Sequence, residues 1–325
     1  MHPTARKYFG PSPLRLIMAV LLLILSSHTL ASPRVVVSLK PIHSLVAGLM
    51  QGVTEPQLLL DDSQSPHSLS LKPSQMRMLN QADLIIWIGA TLEPALSHLL
   101  EPQRYQAEVV RLIEIPGLLL LPVRDRHAWH SHGHDPHMHD AKADLADKTK
   151  QKDNHIWLSP DNSAQIVRHL TQKLVELDAS NRVQYMANSQ AILLRLEKLD
   201  HQIRTDLAPV KSIPYIVFHD AYQYFEAHYG LDAVGTVSID PEQLSGARHI
   251  RRLRETVQST GARCLFTEPQ FEPKLAHTLV EGTSVAIGQL DPLGKHLPAG
   301  PDSYFSLMKS LSGNILDCLS KDNDS

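Results

Sequence analysis

The sequence predicts an α/β protein of two lobes, each a mostly parallel sheet flanked by helices, with a long rigid helix joining them. Three patterns carry that expectation. Across residues 35–112, short apolar runs alternate with stretches at helical spacing, the rhythm of a parallel sheet with helical crossovers. The same alternation resumes after Pro214. Between the two lies a segment, 181–207, with apolar residues at helical spacing and neither Gly nor Pro, so nothing in it interrupts a helix.

Each element has its own signal. Val35, Val36 and Val37 begin a buried strand over 35–38, and a helix follows over 42–50. Further strands are expected at 57–60, 83–89 and 108–112, with helices at 74–80 and 94–100. An amphipathic helix is read over 160–177 from Ile166, Val167, Leu170, Leu174 and Val175. The joining helix presents Met186, Ile192, Leu193, Leu196 and Leu199; it is too short for a coiled coil, and its spacing reads as core packing. After Pro214, strands are expected at 215–218, 233–238, 264–268 and 285–290, and helices at 222–229, 247–259, 274–280 and 304–319. The organisation that follows is 1–31 as a leader, 32–178 as the first lobe, 179–208 as the linking helix and 209–325 as the second lobe.

Residues 1–31 read as an export signal. Arg6, Lys7 and Arg15 precede or flank an unbroken apolar run over 16–25, and Thr29-Leu30-Ala31 suits a signal peptidase. The run is too short to span a bilayer, and no cysteine stands near the cleavage point to carry a lipid. A periplasmic protein, not lipid-anchored, is expected. Removing three of the 31 basic residues leaves 28 against 34 acidic ones, a net charge of −6. No basic stripe appears, which excludes a nucleic-acid partner at this level. The roughly 290 remaining residues exceed one ordinary domain. Cys264 and Cys318 are the two cysteines; an even count in an oxidising compartment suggests one disulfide, with a pair of metal ligands as the weaker alternative.

Histidine usage points to chemistry. His127, His130, His132, His134, His137 and His139 fall within thirteen residues. Neutral imidazole is the commonest side-chain ligand of zinc and late first-row metals. Their surroundings, about 122–154, are rich in His, Asp and Lys and poor in large aliphatics, which predicts a mobile loop. Three isolated histidines stand at strand ends or on loops, where open α/β sheets place ligands: His67 in Ser65-Pro66-His67-Ser68, His155 in Asn154-His155-Ile156-Trp157, and His219 in Phe218-His219-Asp220.

These motifs and their order resemble the zinc-binding component of bacterial ABC metal importers, the ZnuA type. The matching stretches are Ser38-Leu39-Lys40-Pro41, Leu59-Leu60 through His67 to Leu71-Lys72-Pro73-Ser74, and Ala82-Asp83-Leu84. They continue with His155-Ile156-Trp157-Leu158-Ser159-Pro160, Phe218-His219-Asp220-Ala221-Tyr222, Thr267-Glu268-Pro269-Gln270-Phe271 and Leu290-Asp291-Pro292-Leu293-Gly294. The resemblance covers essentially the whole chain after residue 31. It implies a monomeric carrier, not an enzyme, that holds Zn²⁺ between the lobes with His67, His155 and His219 and delivers it to a membrane permease. It also implies a Cys264–Cys318 bridge and an accessory histidine-rich loop.

One departure matters. Zinc members often carry a glutamate just before the first histidine, and here Pro66 stands there. The fourth ligand is then Asp291 or water, with a turn cap as the other role for Asp291. Asp220 and Glu268 are expected to orient imidazole N–H groups. Two other functions are weighed. A manganese or iron carrier of the same architecture would want more oxygen ligands, and manganese-type relatives have a carboxylate where His219 stands. A zinc hydrolase would need a general base and a catalytic motif such as H-E-x-x-H, which is missing.

Overall fold

The computed structural model describes residues 32–101, 104–124, 151–238, 247–259, 261–269 and 273–321. Two four-stranded sheets, parallel throughout, organise them. The first has the order β2-β1-β3-β4, from β1 (Val35–Val37), β2 (Gln57–Leu58), β3 (Leu84–Trp87) and β4 (Glu108–Arg111). The second repeats that pattern as β6-β5-β7-β8, from β5 (Tyr215–His219), β6 (Ala233–Ser238), β7 (Cys264–Thr267) and β8 (Ala286–Gln289). β1 and β3 are buried on both faces, which explains their unbroken apolar sequences.

Helices close the crossovers. In the first half these are α1 (Lys40–Leu49), α2 (Pro73–Gln81) and α3 (Pro94–Ser97). Each has proline in its first turn, where the missing N–H costs no helical bond. α4 (Pro160–Leu177) starts on Ser159, whose Oγ accepts from Asn162 N at 3.2 Å, an N-cap that satisfies one orphan donor. The joining helix is α5 (Arg182–Leu207), 26 residues long. The second half adds α6 (Gln223–Tyr229), α7 (Ala247–Ser259), α8 (Pro273–Val280) and α9 (Ser303–Leu319). Gly230 ends α6 at φ +69°, a left-handed conformation that glycine adopts without a Cβ penalty.

Packing makes the two sheets one body. The first sheet, α1, α4, α5 and α9 share a continuous apolar core that includes Trp87, Trp157, Leu196, Tyr215, Val217 and Phe266. The opposite face of the second sheet buries Ile216, Phe218 and Leu265 against Leu253 and Val257 of α7 and Ala276 and Leu279 of α8. Alternation along β5 thus splits its side chains between two cores.

The differences from the sequence reading are local. α1 begins at Lys40 rather than 42, β2 is two residues rather than four, and α3 stops at Ser97. The expected loop over 122–154 starts and ends in paired backbone: Pro122 bridges Lys152 antiparallel, Val123 N donates to Gln151 O at 3.0 Å, and Asp153 N donates to Leu121 O at 2.9 Å. The leader, 1–31, and the histidine cluster from His127 to His139 lie outside the described residues. Cys264 and Cys318 form a disulfide that ties β7 to α9.

Candidate metal centre

Strand order locates the site. In each sheet the chain leaves the first strand to one side and returns on the other, so a crevice opens beyond the carboxyl ends of β1/β3 and of β5/β7. His219 is the last residue of β5, and Glu268 follows the last residue of β7. They face one another, His219 Nδ1 to Glu268 Oε1 at 3.4 Å, with both side chains buried.

His155 precedes a 3₁₀ turn, Ile156–Leu158. Asp153 Oδ1 accepts from both the backbone N and the ring Nδ1 of His155, at 2.9 and 2.7 Å. The segment is pinned from the second half of the chain. Tyr224 Oη donates to Asp153 O at 2.8 Å, Tyr304 Oη donates to Trp157 O at 3.0 Å, and Trp157 Nε1 donates to Pro292 O at 2.8 Å.

His67 lies in the loop between β2 and α2. The Gln75 side chain braces that loop: its Nε2 donates to Leu59 O at 2.5 Å and to Gln64 Oε1 at 2.7 Å, and its Oε1 accepts from Lys72 N at 2.7 Å. An ion pair of Lys72 with Asp61 at 2.6 Å closes the loop's base.

These three stretches converge. Ring centroids are 5.1 Å apart for His155 and His219, 5.5 Å for His67 and His219, and 6.1 Å for His67 and His155. One ligand atom from each lies within 4.8 Å of the others, the one such group of His, Cys or acidic side chains among the described residues. His155 and His219 are buried and His67 is partly so.

Electrostatics suits a cation here. Burial, then the neighbouring His155 and His219, pulls the His67 imidazole down to about 3, so it presents a lone pair rather than a proton. Burial also pulls on His219, but the Glu268 carboxylate, with Asp220 and Asp153, outweighs it and moves His219 upward. Three carboxylates therefore stand behind the imidazoles. Asp220 also faces a cation: its Oδ1 lies 3.6 Å from Arg124 Nε, and Arg124 also pairs with the buried Glu226. Burial raises Asp220 to about 7 against the pull of Arg124.

Asp291 stands outside the cluster. Its Oδ1 accepts from Leu293 N at 3.0 Å and Gly294 N at 2.9 Å, and its Oδ2 from Lys295 N at 2.6 Å. That is the turn-cap role. Among the residues that hold the histidines, Asp153 and Trp157 escaped the sequence reading. The Asp-x-His spacing of Asp153 and His155 was the available signal for the first.

A two-sheet protein whose loops bring three imidazoles together at the sheets' carboxyl ends is, as a class, a two-lobed metal-binding protein. The chain belongs to the periplasmic zinc-uptake complex component A family, whose model matches residues 35–318. Among curated relatives, the high-affinity zinc uptake system protein ZnuA of Brucella suis biovar 1 is 39% identical over 306 residues, covering 88% of this chain and 92% of that protein. ZnuA of Yersinia pestis is 35% identical, covering 93% and 96%. A crystal structure of ZnuA superposes with a TM-score of 0.72 at 24% identity, covering 89% of this chain and all of the other. The AdcAII protein of Streptococcus pneumoniae gives 0.70 at 22%, covering 90% and 100%. These two likenesses establish the fold.

Proposed function

We propose that the chain is a high-affinity zinc carrier that takes up Zn²⁺ with His67, His155 and His219 and hands it to the permease of an ABC importer. The observation that carries this reading is the convergence of three histidines from three separate stretches within 4.8 Å of one another. Three neutral imidazoles form a borderline-soft donor set that suits zinc, whereas manganese and magnesium favour oxygen-rich sites. The fourth position goes to water in this proposal, because the ligand atoms within 4.8 Å of one another come from the three histidines and do not include Asp291. Binding and release are the whole task, and zinc is cargo.

Residues 1–31 serve as the export leader in this reading, and delivery takes place in the periplasm. The histidine-rich stretch from His127 to His139 adds weaker capacity and is not a source of primary ligands. Support for the carrier role comes from family membership and from relatives named for zinc uptake. Competitive titration against a zinc chelator of known affinity tests it. One tight zinc per chain is expected, with manganese unable to displace it. Manganese binding as tightly as zinc would turn the assignment to a hard-metal carrier.

A further inference from the structure

The ammonium of Lys40 is buried, with 7% of its side chain exposed, and it sits among acceptors from two places. Lys40 Nζ donates to Gly294 O at 3.1 Å, Lys295 O at 2.8 Å and Leu297 O at 2.9 Å. It also pairs with the carboxylate of Asp62. Burying a charge is costly unless such partners surround it. Lys40 itself opens α1 beside the end of β1, Asp62 lies in the loop that carries His67, and the three carbonyls belong to the turn after β8.

That turn is a junction. Asp291 shapes it by capping three backbone N–H groups, and Gly294 allows it at φ +64°. Trp157, two residues beyond His155, holds its Pro292 carbonyl at 2.8 Å. The loops of His67 and His155 are therefore fastened to one turn of the second half, the first through Asp62 and Lys40 and the second through Trp157. The Lys40 contacts span more than 250 residues of sequence.

We infer that Lys40 is a positioning residue that latches the His67 loop to the 291–297 turn and thereby sets the rate at which bound zinc is released. This rests on the zinc-carrier reading above. A latch acts on release because its contacts must break before His67 can withdraw, while the three nitrogen ligands stay the same.

Zinc-loaded protein mixed in a stopped-flow device with excess chromophoric chelator tests the latch. Lys40→Met keeps the unbranched apolar stem and removes the charged ammonium. Its release should be at least about tenfold faster, the scale of one charge-assisted hydrogen bond, with stoichiometry still one per chain. Lys40→Arg should recover most of the retention. Asp62→Asn alters a half-exposed carboxylate and so spares folding. It should speed release about threefold or more, the scale of one ion pair, with the zinc-free protein still folded by circular dichroism. If Lys40→Met fails to fold, Asp62→Asn decides alone. Tight zinc binding by the wild type together with wild-type release from these variants overturns the latch and leaves the carrier reading standing. A wild type with no tight zinc site overturns both.

Discussion

Asp153 Oδ1 accepts two hydrogen bonds from His155, one from its backbone N–H at 2.9 Å and one from its ring Nδ1 at 2.7 Å. An ionised carboxylate only accepts, so the proton sits on Nδ1 and the Nε2 lone pair is left for a metal. The second bond comes from the same oxygen and fixes the ring's direction through the backbone. Such carboxylate–histidine pairs hold the tautomer and raise ligand basicity.

Asp153→Asn should therefore weaken zinc binding by about 10- to 100-fold and leave one zinc per chain. Calorimetric competition titration measures it. Wild-type affinity in this variant would mean that His155 needs no partner to ligate.

The histidines are expected to act as a set. Alanine at His67, His155 or His219 should each abolish tight zinc binding while the protein stays folded by circular dichroism, since all three belong to one cluster. Removal of residues 127–139 should lower total zinc stoichiometry and preserve one tight site. Loss of the tight site on that deletion would move the primary ligands into the histidine-rich stretch.

Glu93 gives a pH signature of its own. Burial pushes its carboxyl from about 4.5 up to about 7, although the N–H groups of Ile88 and Gly89 bond to it. The folded form thus holds its proton over a window where the unfolded chain has lost it. Stability from this group is present below about pH 4.5 and falls as pH rises toward 7. Glu93→Gln keeps an acceptor and carries no charge. It should melt several degrees higher than wild type at pH 8, for a ceiling of about 3 kcal/mol, and match it near pH 4. Parallel melting curves at every pH would contradict the shift.

The bridge between Cys264 and Cys318 closes 54 residues of separation. On the chain-entropy account it contributes about 4 kcal/mol. Reduction should lower the melting temperature markedly and change zinc affinity little, because the cysteines stand apart from the histidine cluster. A large loss of zinc affinity on reduction would show that the bridge shapes the site.

Much of this was legible in the residues. Continuous apolar runs marked strands such as Val35–Val37 and Leu84–Trp87 because both faces are buried. The absence of Gly and Pro marked Arg182–Leu207 as one helix. Ends were less legible: β2 is Gln57–Leu58, although Leu59 N and Leu60 N still donate to Val37 O and Ser38 O at 2.8 and 3.1 Å before the chain turns into the His67 loop. The three histidines came from motif resemblance, since spacings of 88 and 64 residues have no periodic meaning. Asp153 and Lys40 stayed hidden for different reasons. Asp153 acts over a two-residue spacing common to any turn, and Lys40 acts on carbonyls about 255 residues away, which no local pattern encodes.

Anomalous diffraction from zinc-loaded crystals, recorded on both sides of the zinc absorption edge, tests the central claim most directly. The account predicts one strong peak per chain at about 2.0–2.1 Å from a ring nitrogen of each of His67, His155 and His219, with Asp291 Oδ1 still bonded to Leu293 and Gly294 N–H groups. A dominant zinc peak bound elsewhere, with these three imidazoles free of metal, would contradict it.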